Sequence, residues 1–465
     1  MNATAAPAGS VRASSQPKGR LLRILGVSFG IAVIVGDTIG SGILRTPGEI
    51  AGYLGSRSWI IGIWLVGALY ALFCTLSVTE LGTMLPFAGG WYVYTRRAMG
   101  DFPGFVVGCS DWVLQTASTA YLAVAFGEFA VAFQPVFRGH VKLLATGVLV
   151  ALALLNWLGL RTGSRTQEAT SLVKAIALVA FVIACLIAGH HAAGADAAPV
   201  RVLPKGGLLL AFVMAIQAVI VTYDGWYAAI YFTEENKNAA KELPRSSIGG
   251  VLACAAIFLL VNGALFHVLP MAQLAHSQMP VADAAKAILG SRGKQFILLV
   301  SLVAAVSTIN ASLLMTPRIL FAMGRDRLLP LWLTRVNARG TPTPALLIGT
   351  LLATALAVSG SFETLIAICS ILFVAVYLSG FVSLVVLRKR EPNLPRPFKI
   401  WGYPWSNLGV LLVSSAFLVA AVVADLKDAL FTFVLIGLAS LFYFLLLRRG
   451  AYVRSRLLAE ADAAD

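Results

Sequence analysis

The chain of 465 residues is 58% hydrophobic and only 12% charged, with a mean hydropathy of +0.84, which excludes an ordinary soluble globule of this length. The formal net charge of +15 would suit a nucleic-acid partner, but with a cytoplasmic N-terminus 24 of the 36 Lys and Arg residues fall in inner loops and 10 in outer loops and their helix ends; this is the positive-inside bias of a multi-pass membrane protein, and it excludes nucleic acid. The five cysteines (Cys74, Cys109, Cys185, Cys254, Cys369) sit in apolar segments without paired spacing, the five histidines make no ligand pattern, and no G-x-x-x-x-G-K-[ST] loop is present, so no disulfide framework, metal site, cofactor or ATP-driven step is expected.

Residues 1–22 are small, polar and basic, and read as a disordered cytoplasmic tail without a cleavage site. Twelve apolar segments follow. Segment 1 spans about 24–54, and segment 2 (59–84) returns to an inner loop with Arg96 and Arg97. Segment 3 (103–133) is long; segments 4 (141–160) and 5 (168–189) flank Arg161 and Arg165. An outer loop with His190, His191 and Pro199 leads to segment 6 (207–233) and segment 7 (247–270). The outer stretch 271–294 is long enough for a short lid helix. Segment 8 (295–324) ends in Arg325-Asp326-Arg327, and segments 9 (344–360) and 10 (363–387) precede Arg388-Lys389-Arg390. Segments 11 (405–424) and 12 (429–447) close on a basic tail with Arg448, Arg449, Arg454 and Arg456.

Two segments are interrupted. Segment 1 carries Gly36-Asp37-Thr38-Ile39-Gly40-Ser41-Gly42-Ile43, which places Asp37 roughly 18 Å into a helix starting near Leu25, close to the middle of a hydrocarbon core about 30 Å thick. Non-helical backbone survives at that depth only where it lines a cavity. A break at Gly40-Ser41-Gly42 leaves free amides and a positive dipole end at the second half-helix, a place suited to a carboxylate. Segment 6 carries Thr222-Tyr223-Asp224-Gly225-Trp226. Breaks in the first members of two successive sets of five helices point to an inverted-repeat transporter and its site. The expected divisions are a first repeat at 23–189, a second at 207–390, a basic loop with two further helices at 391–449, and a cytoplasmic tail at 450–465.

With Asp224 in place the chain resembles the amino acid–polyamine–organocation (APC) superfamily. The residues that carry the likeness are Gly40-Ser41-Gly42-Ile43; Tyr223-Asp224-Gly225-Trp226 with Glu234-Glu235 and Leu243-Pro244-Arg245; Asn310-Ala311-Ser312-Leu313 with Arg318; and Leu387-Arg388-Lys389-Arg390-Glu391-Pro392 with Pro395-Arg396-Pro397-Phe398, closest to the L-type amino acid transporter branch. The resemblance implies an all-α membrane fold of twelve helices: a LeuT-like five-plus-five inverted repeat with helices 1 and 6 broken, plus two C-terminal helices. It implies a substrate carboxylate on the amides of Ser41, Gly42 and Ile43, and an α-amino group near the carbonyls of Val35, Gly36, Thr222 and Tyr223, with Ile39 and Gly40 at the break. Asp37 stands where the L-type branch commonly has a neutral residue, and Val221 where it often has an aromatic gate. Lys174 matches a lysine that the branch carries where sodium-coupled members of the fold bind a cation, with Ser307 and Thr308 as the segment 8 counterpart.

Each of these residues also has a plainer reading. The glycines could serve close helix packing. Lys174, about six residues into segment 5, could snorkel to the inner surface, or pair with Asp37 to couple protons to transport. Asp224 reads as a local cap of unwound amides, with a proton site as the alternative; Tyr223 and Trp226 are packing or gate. Arg318 reads as a snorkelling anchor, and Trp91, Tyr92 and the cluster of Trp401, Tyr403 and Trp405 as interfacial belts. The expected function is a plasma-membrane carrier of amino acids, by proton symport or exchange, with lipid around it; a polyamine or cationic amino acid carrier is the alternative, and a receptor or enzyme the rival.

Overall fold

The computed structural model describes residues 20–188, 207–360, 362–424, 429–430 and 432–445, without the side chains of 361–370 and 424. The N-terminal tail to residue 19, the loop with His190, His191 and Pro199, the Cys369 side chain and the basic C-terminal tail lie outside that description.

Apolar runs in a membrane satisfy their backbone only as helices, and the described chain is helical, with one isolated bridge pairing Leu25 with Asn236. The first span is α1 (Val27–Thr38) and α2 (Gly42–Leu54), followed by α3 (Arg57–Met84), a short α4 (Trp91–Met99), α5 (Asp101–Phe133), α6 (Val141–Trp157) and α7 (Leu160–Ala188). The second set opens with α8 (Gly207–Thr222) and continues through α9 (Ala239–Val268), the short α10 (Met271–His276) and α11 (Pro280–Leu289), α12 (Ser291–Arg325), α13 (Thr343–Ser359) and α14 (Phe362–Arg390). The last two spans are α15 (Trp405–Ala424) and α16 (Thr432–Leu445). Seven of these helices are long and apolar enough to cross a membrane alone; α1 and α2 do so as a pair bent by 48°, and α6, α8, α13 and α16 are shorter apolar helices. These are the twelve spans read from the sequence.

The differences have physical causes. An apolar run marks where a helix enters hydrocarbon, not where its hydrogen bonding begins. So α7 starts at Leu160 and α9 at Ala239, each with a polar first turn or two outside the run. The stretch 271–294 holds two short helices, α10 and α11, instead of one. The second half of span 6 is a 3₁₀ segment, Ala228–Glu235. Leu21, expected in the N-terminal tail, is buried against Ala88 and Phe321.

Three expectations for single side chains fail for one reason: each residue is itself buried and packs on or pairs with a protein partner that the sequence did not reveal. Trp91 is fully buried and packs on Trp226 with ring centroids 5.8 Å apart. Tyr92 is buried too, and donates to Asp326 Oδ2 at 2.9 Å. Arg318 does not snorkel; it makes a bidentate pair with Glu235 at 2.8 and 3.1 Å inside the protein. Trp401 and Trp405 are exposed, as a belt requires.

Candidate functional site

The site grows from the two breaks. α1 stops at Thr38 because the Ile39 backbone leaves the helical region (φ −82°, ψ 81°), and α2 restarts at Gly42. Amides in a helix's first turn have no intrahelical acceptor, so those of Gly42 and Ile43 stay available. The partner break follows Thr222. There Gly225 adopts a φ of +106°, and a Cβ on it would sit 2.6 Å from the Thr38 amide nitrogen. Only glycine permits both that conformation and that approach, so the two breaks lie against each other.

Between them opens a cavity of about 360 Å³. Of the residues singled out from the sequence, Asp37, Gly40, Ser41 and Gly42 line it from span 1, Val221, Thr222, Asp224 and Trp226 from span 6, and Thr308 from α12. Asp37 has no hydrogen-bond or ion-pair partner among the described residues. Asp224 accepts a short hydrogen bond of 2.5 Å from the Tyr377 hydroxyl on α14, so its main contact comes from another span and not only from the unwound amides. Thr222 donates to Thr46 Oγ1 at 2.9 Å, linking α8 to α2.

The others stand behind the wall. Val35, Ile39 and Ile43 are buried in the apolar core. Tyr223 points away, stacked edge-on to Trp64 and Phe258 at 5.8 and 5.0 Å. Lys174 lies well inside α7, because the helix starts at Leu160, and it is fully buried with no route to the surface. Its ammonium donates to the carbonyls of Gly36 at 2.6 Å and Ile39 at 2.7 Å. Thr308 donates to the same Gly36 carbonyl at 3.1 Å. Lys174 thus holds the C-terminal end of α1, not the Asp37 carboxylate, and both lone pairs of the Gly36 oxygen are engaged in this conformation. Ser307, next to Thr308, sits in a network with Gln167 and Ser171, and the Ser171 hydroxyl reaches the Ala32 carbonyl, one turn before Gly36, at 2.7 Å.

Sequence reasoning missed a third side of the cavity: Tyr70 on α3, Gln115, Ser118 and Tyr121 on α5, Tyr377 with Phe373 on α14, and Phe417 on α15. A signal was present. Gln115 and Ser118 are polar residues three apart in a membrane span, which puts them on one helix face, and a polar face inside a membrane span needs an interior partner. Phe417 and Phe373 carried no such mark.

A family model described as amino acid permease matches residues 25–441. The chain is 27% identical over 429 residues to the serine/threonine exchanger SteT of Bacillus subtilis (strain 168), covering 90% of this chain and 96% of the relative. It is 28% identical over 449 residues to the human b(0,+)-type amino acid transporter 1, covering 93% and 90%, and 27% identical over 409 residues to the human cystine/glutamate transporter, covering 84% and 79%.

Proposed function

The chain belongs to the amino acid permease family, and from that premise we propose that it carries an α-amino acid across the cell membrane by alternating access, without sodium and without covalent chemistry. Both termini are cytoplasmic in this reading, and the two inverted repeats are 23–189 and 207–390. The observation that carries it is the ammonium of Lys174, bound to the Gly36 and Ile39 carbonyls beside Thr308 at the end of α1. A fixed cation already neutralises these carbonyls, so a metal ion has no vacancy there. The driving force is then proton movement or exchange for a second amino acid. The substrate carboxylate meets the first-turn amides of α2 and the α-amino group the acid side of the cavity, at Asp37 and the carbonyl end of α8. The relatives are amino acid carriers by name, which speaks against the polyamine alternative.

Uptake of labelled amino acids into proteoliposomes tests this. Replacing sodium by choline leaves the rate unchanged, whereas an absolute sodium requirement overturns the reading. Substrates lacking either the amine or the carboxylate compete at least about tenfold more weakly, because one lost charge-assisted hydrogen bond costs about 1.5–3 kcal/mol. A second reading, preference for a cationic side chain, is favoured by Asp37 and Asp224 lining a cavity with no Lys, Arg or His among its described wall residues. Lysine or arginine outcompeting neutral amino acids in the same assay decides for it.

A further inference from the structure

One carboxylate deep in the third span has no part in the reading above. Asp111, on α5, is completely buried, and both its oxygens accept from the single hydroxyl of Tyr231, at 2.8 and 2.9 Å. No Lys or Arg among the described residues makes an ion pair with it. Burial without a paired cation makes a carboxyl group bind a proton more readily than it would in water. Tyr231 belongs to the 3₁₀ segment of span 6, on the other side of the contact. Gln115, four residues further along α5, donates one amide proton to Tyr227 at 3.1 Å and the other to Tyr231 at 3.5 Å, which aims the Tyr231 hydroxyl at Asp111. Tyr227 in turn packs on Tyr377, the partner of Asp224 in the cavity. The cluster therefore begins at the cavity and ends on Asp111, toward the basic-loop end of α5.

Most charged groups on the elements packed against α5 are engaged elsewhere; Arg292 and Lys294 lie at the opposite end of α12 from Arg325, and Lys389 is exposed at the end of α14. On α4, Arg96 is engaged with Asp101 and Asp326, Arg97 with Glu391, and Tyr92 with Asp326; Tyr94 is neutral and buried. On α12, Arg318 is held by Glu235 and Arg325 by Glu234. On α14, Tyr377 is on Asp224, Arg388 on Glu80 and Arg390 on the Ala98 carbonyl. On α6, Lys142 follows Val141, which packs at Gly127, four turns from Asp111; α13 has no titratable side chain.

We propose that Asp111 is a proton-binding site opened and closed by Tyr231. When the 3₁₀ segment seats on α5, Asp111 takes one proton from the inner solution; when it lifts away, the O–H bond of the carboxyl breaks and that proton returns to inner water. The proposal rests on the alternating-access reading, because it needs span 6 to move against α5. Low internal pH then favours the closed inner side.

The test is amino acid exchange by the whole protein in proteoliposomes, with external pH clamped and internal pH varied. Wild-type exchange changes at least about threefold between internal pH of roughly 6 and 8, and Asp111→Asn, neutral at every pH, flattens the profile while exchange continues. Should that variant fail to fold, Tyr231→Phe keeps the ring, removes the hydroxyl and displaces the profile by about one pH unit or more. A wild-type rate indifferent to internal pH, or a profile unmoved in the variant that folds, overturns the proposal with the carrier reading intact. No exchange by the wild type at any pH removes the carrier reading and the proposal with it.

Discussion

Lys174 has two acceptors and no alternative, which makes its substitution informative. In Lys174→Ala the Gly36 carbonyl keeps Thr308, but the Ile39 carbonyl loses its donor. Charge-assisted hydrogen bonds are worth about 1.5–3 kcal/mol each, so uptake falls at least about tenfold in proteoliposomes while the protein remains membrane-inserted and soluble in detergent. Uptake within twofold of wild type would sink the role given to this cation. Gly42 supplies a second test at this scale: a Cβ there meets the Thr222 side chain at 3.1 Å and faces the cavity. Gly42→Leu therefore abolishes binding, read as the loss of substrate-induced thermal stabilisation, without preventing insertion. Both residues were legible in the sequence, because a lysine or a glycine triplet inside an apolar run is conspicuous. Arg318, Trp91 and Tyr92 were conspicuous too and were misread. Residue type and depth along the chain say that a polar or amphipathic side chain needs a partner, but not whether that partner is water at the membrane surface or another side chain, such as Glu235 for Arg318.

The broken helices were the most legible elements, and their contact was not. Each break is announced locally by glycine and an acid; that the two touch at Gly225 and Thr38 depends on how whole spans pack. Gly225→Ala must force a side chain into the left-handed region and against the α1 backbone, where the nearest atom is 2.6 Å away. Strain of this kind costs about 1–3 kcal/mol, so the variant unfolds at lower temperature in detergent and transports poorly. Gly62 is the control: it lies in α3 with open space where a Cβ would be, and Gly62→Ala leaves stability equal or slightly raised, by up to about 1 kcal/mol. Equal behaviour of the two alanines would show that the breaks do not meet. Helix starts were read less well than helix breaks, since the polar turns at Leu160 and Ala239 obey hydrogen bonding and not hydropathy.

At the scale of the whole molecule, the end that carries the Glu234-Glu235 segment is tied by contacts that no single segment announces. The Leu25 amide donates to the Glu235 carbonyl and the Lys237 amide to the Leu25 carbonyl, both at 3.0 Å, which joins the entry of span 1 to the exit of span 6. Glu234 accepts from the Ala88 amide at 3.0 Å and from Arg325 at 2.7 Å, and Glu235 takes Arg318. These ties run between the element pair that forms the breaks and the α12 end that packs on α5, so alternating access has to undo some of them. Their strengths differ by solvent exposure. The Arg325 pair is partly exposed, with side chains 30% and 23% accessible, and is worth about 0–1 kcal/mol. The Arg318 pair is buried at 1% and 0%, where removing one partner strands the other charge at a cost of about 3–5 kcal/mol. Glu234→Gln accordingly leaves the unfolding temperature nearly unchanged, and Arg318→Met lowers it sharply. Replacing both partners, Arg318→Met with Glu235→Leu, removes the stranded charge and recovers most of the loss. Thermal unfolding in detergent reads all three, and a double variant no more stable than Arg318→Met would mean that the pair stabilises the fold by more than avoiding an unpaired charge. If the double variant is stable yet slow in exchange, the pair's importance lies in how this end of the protein closes.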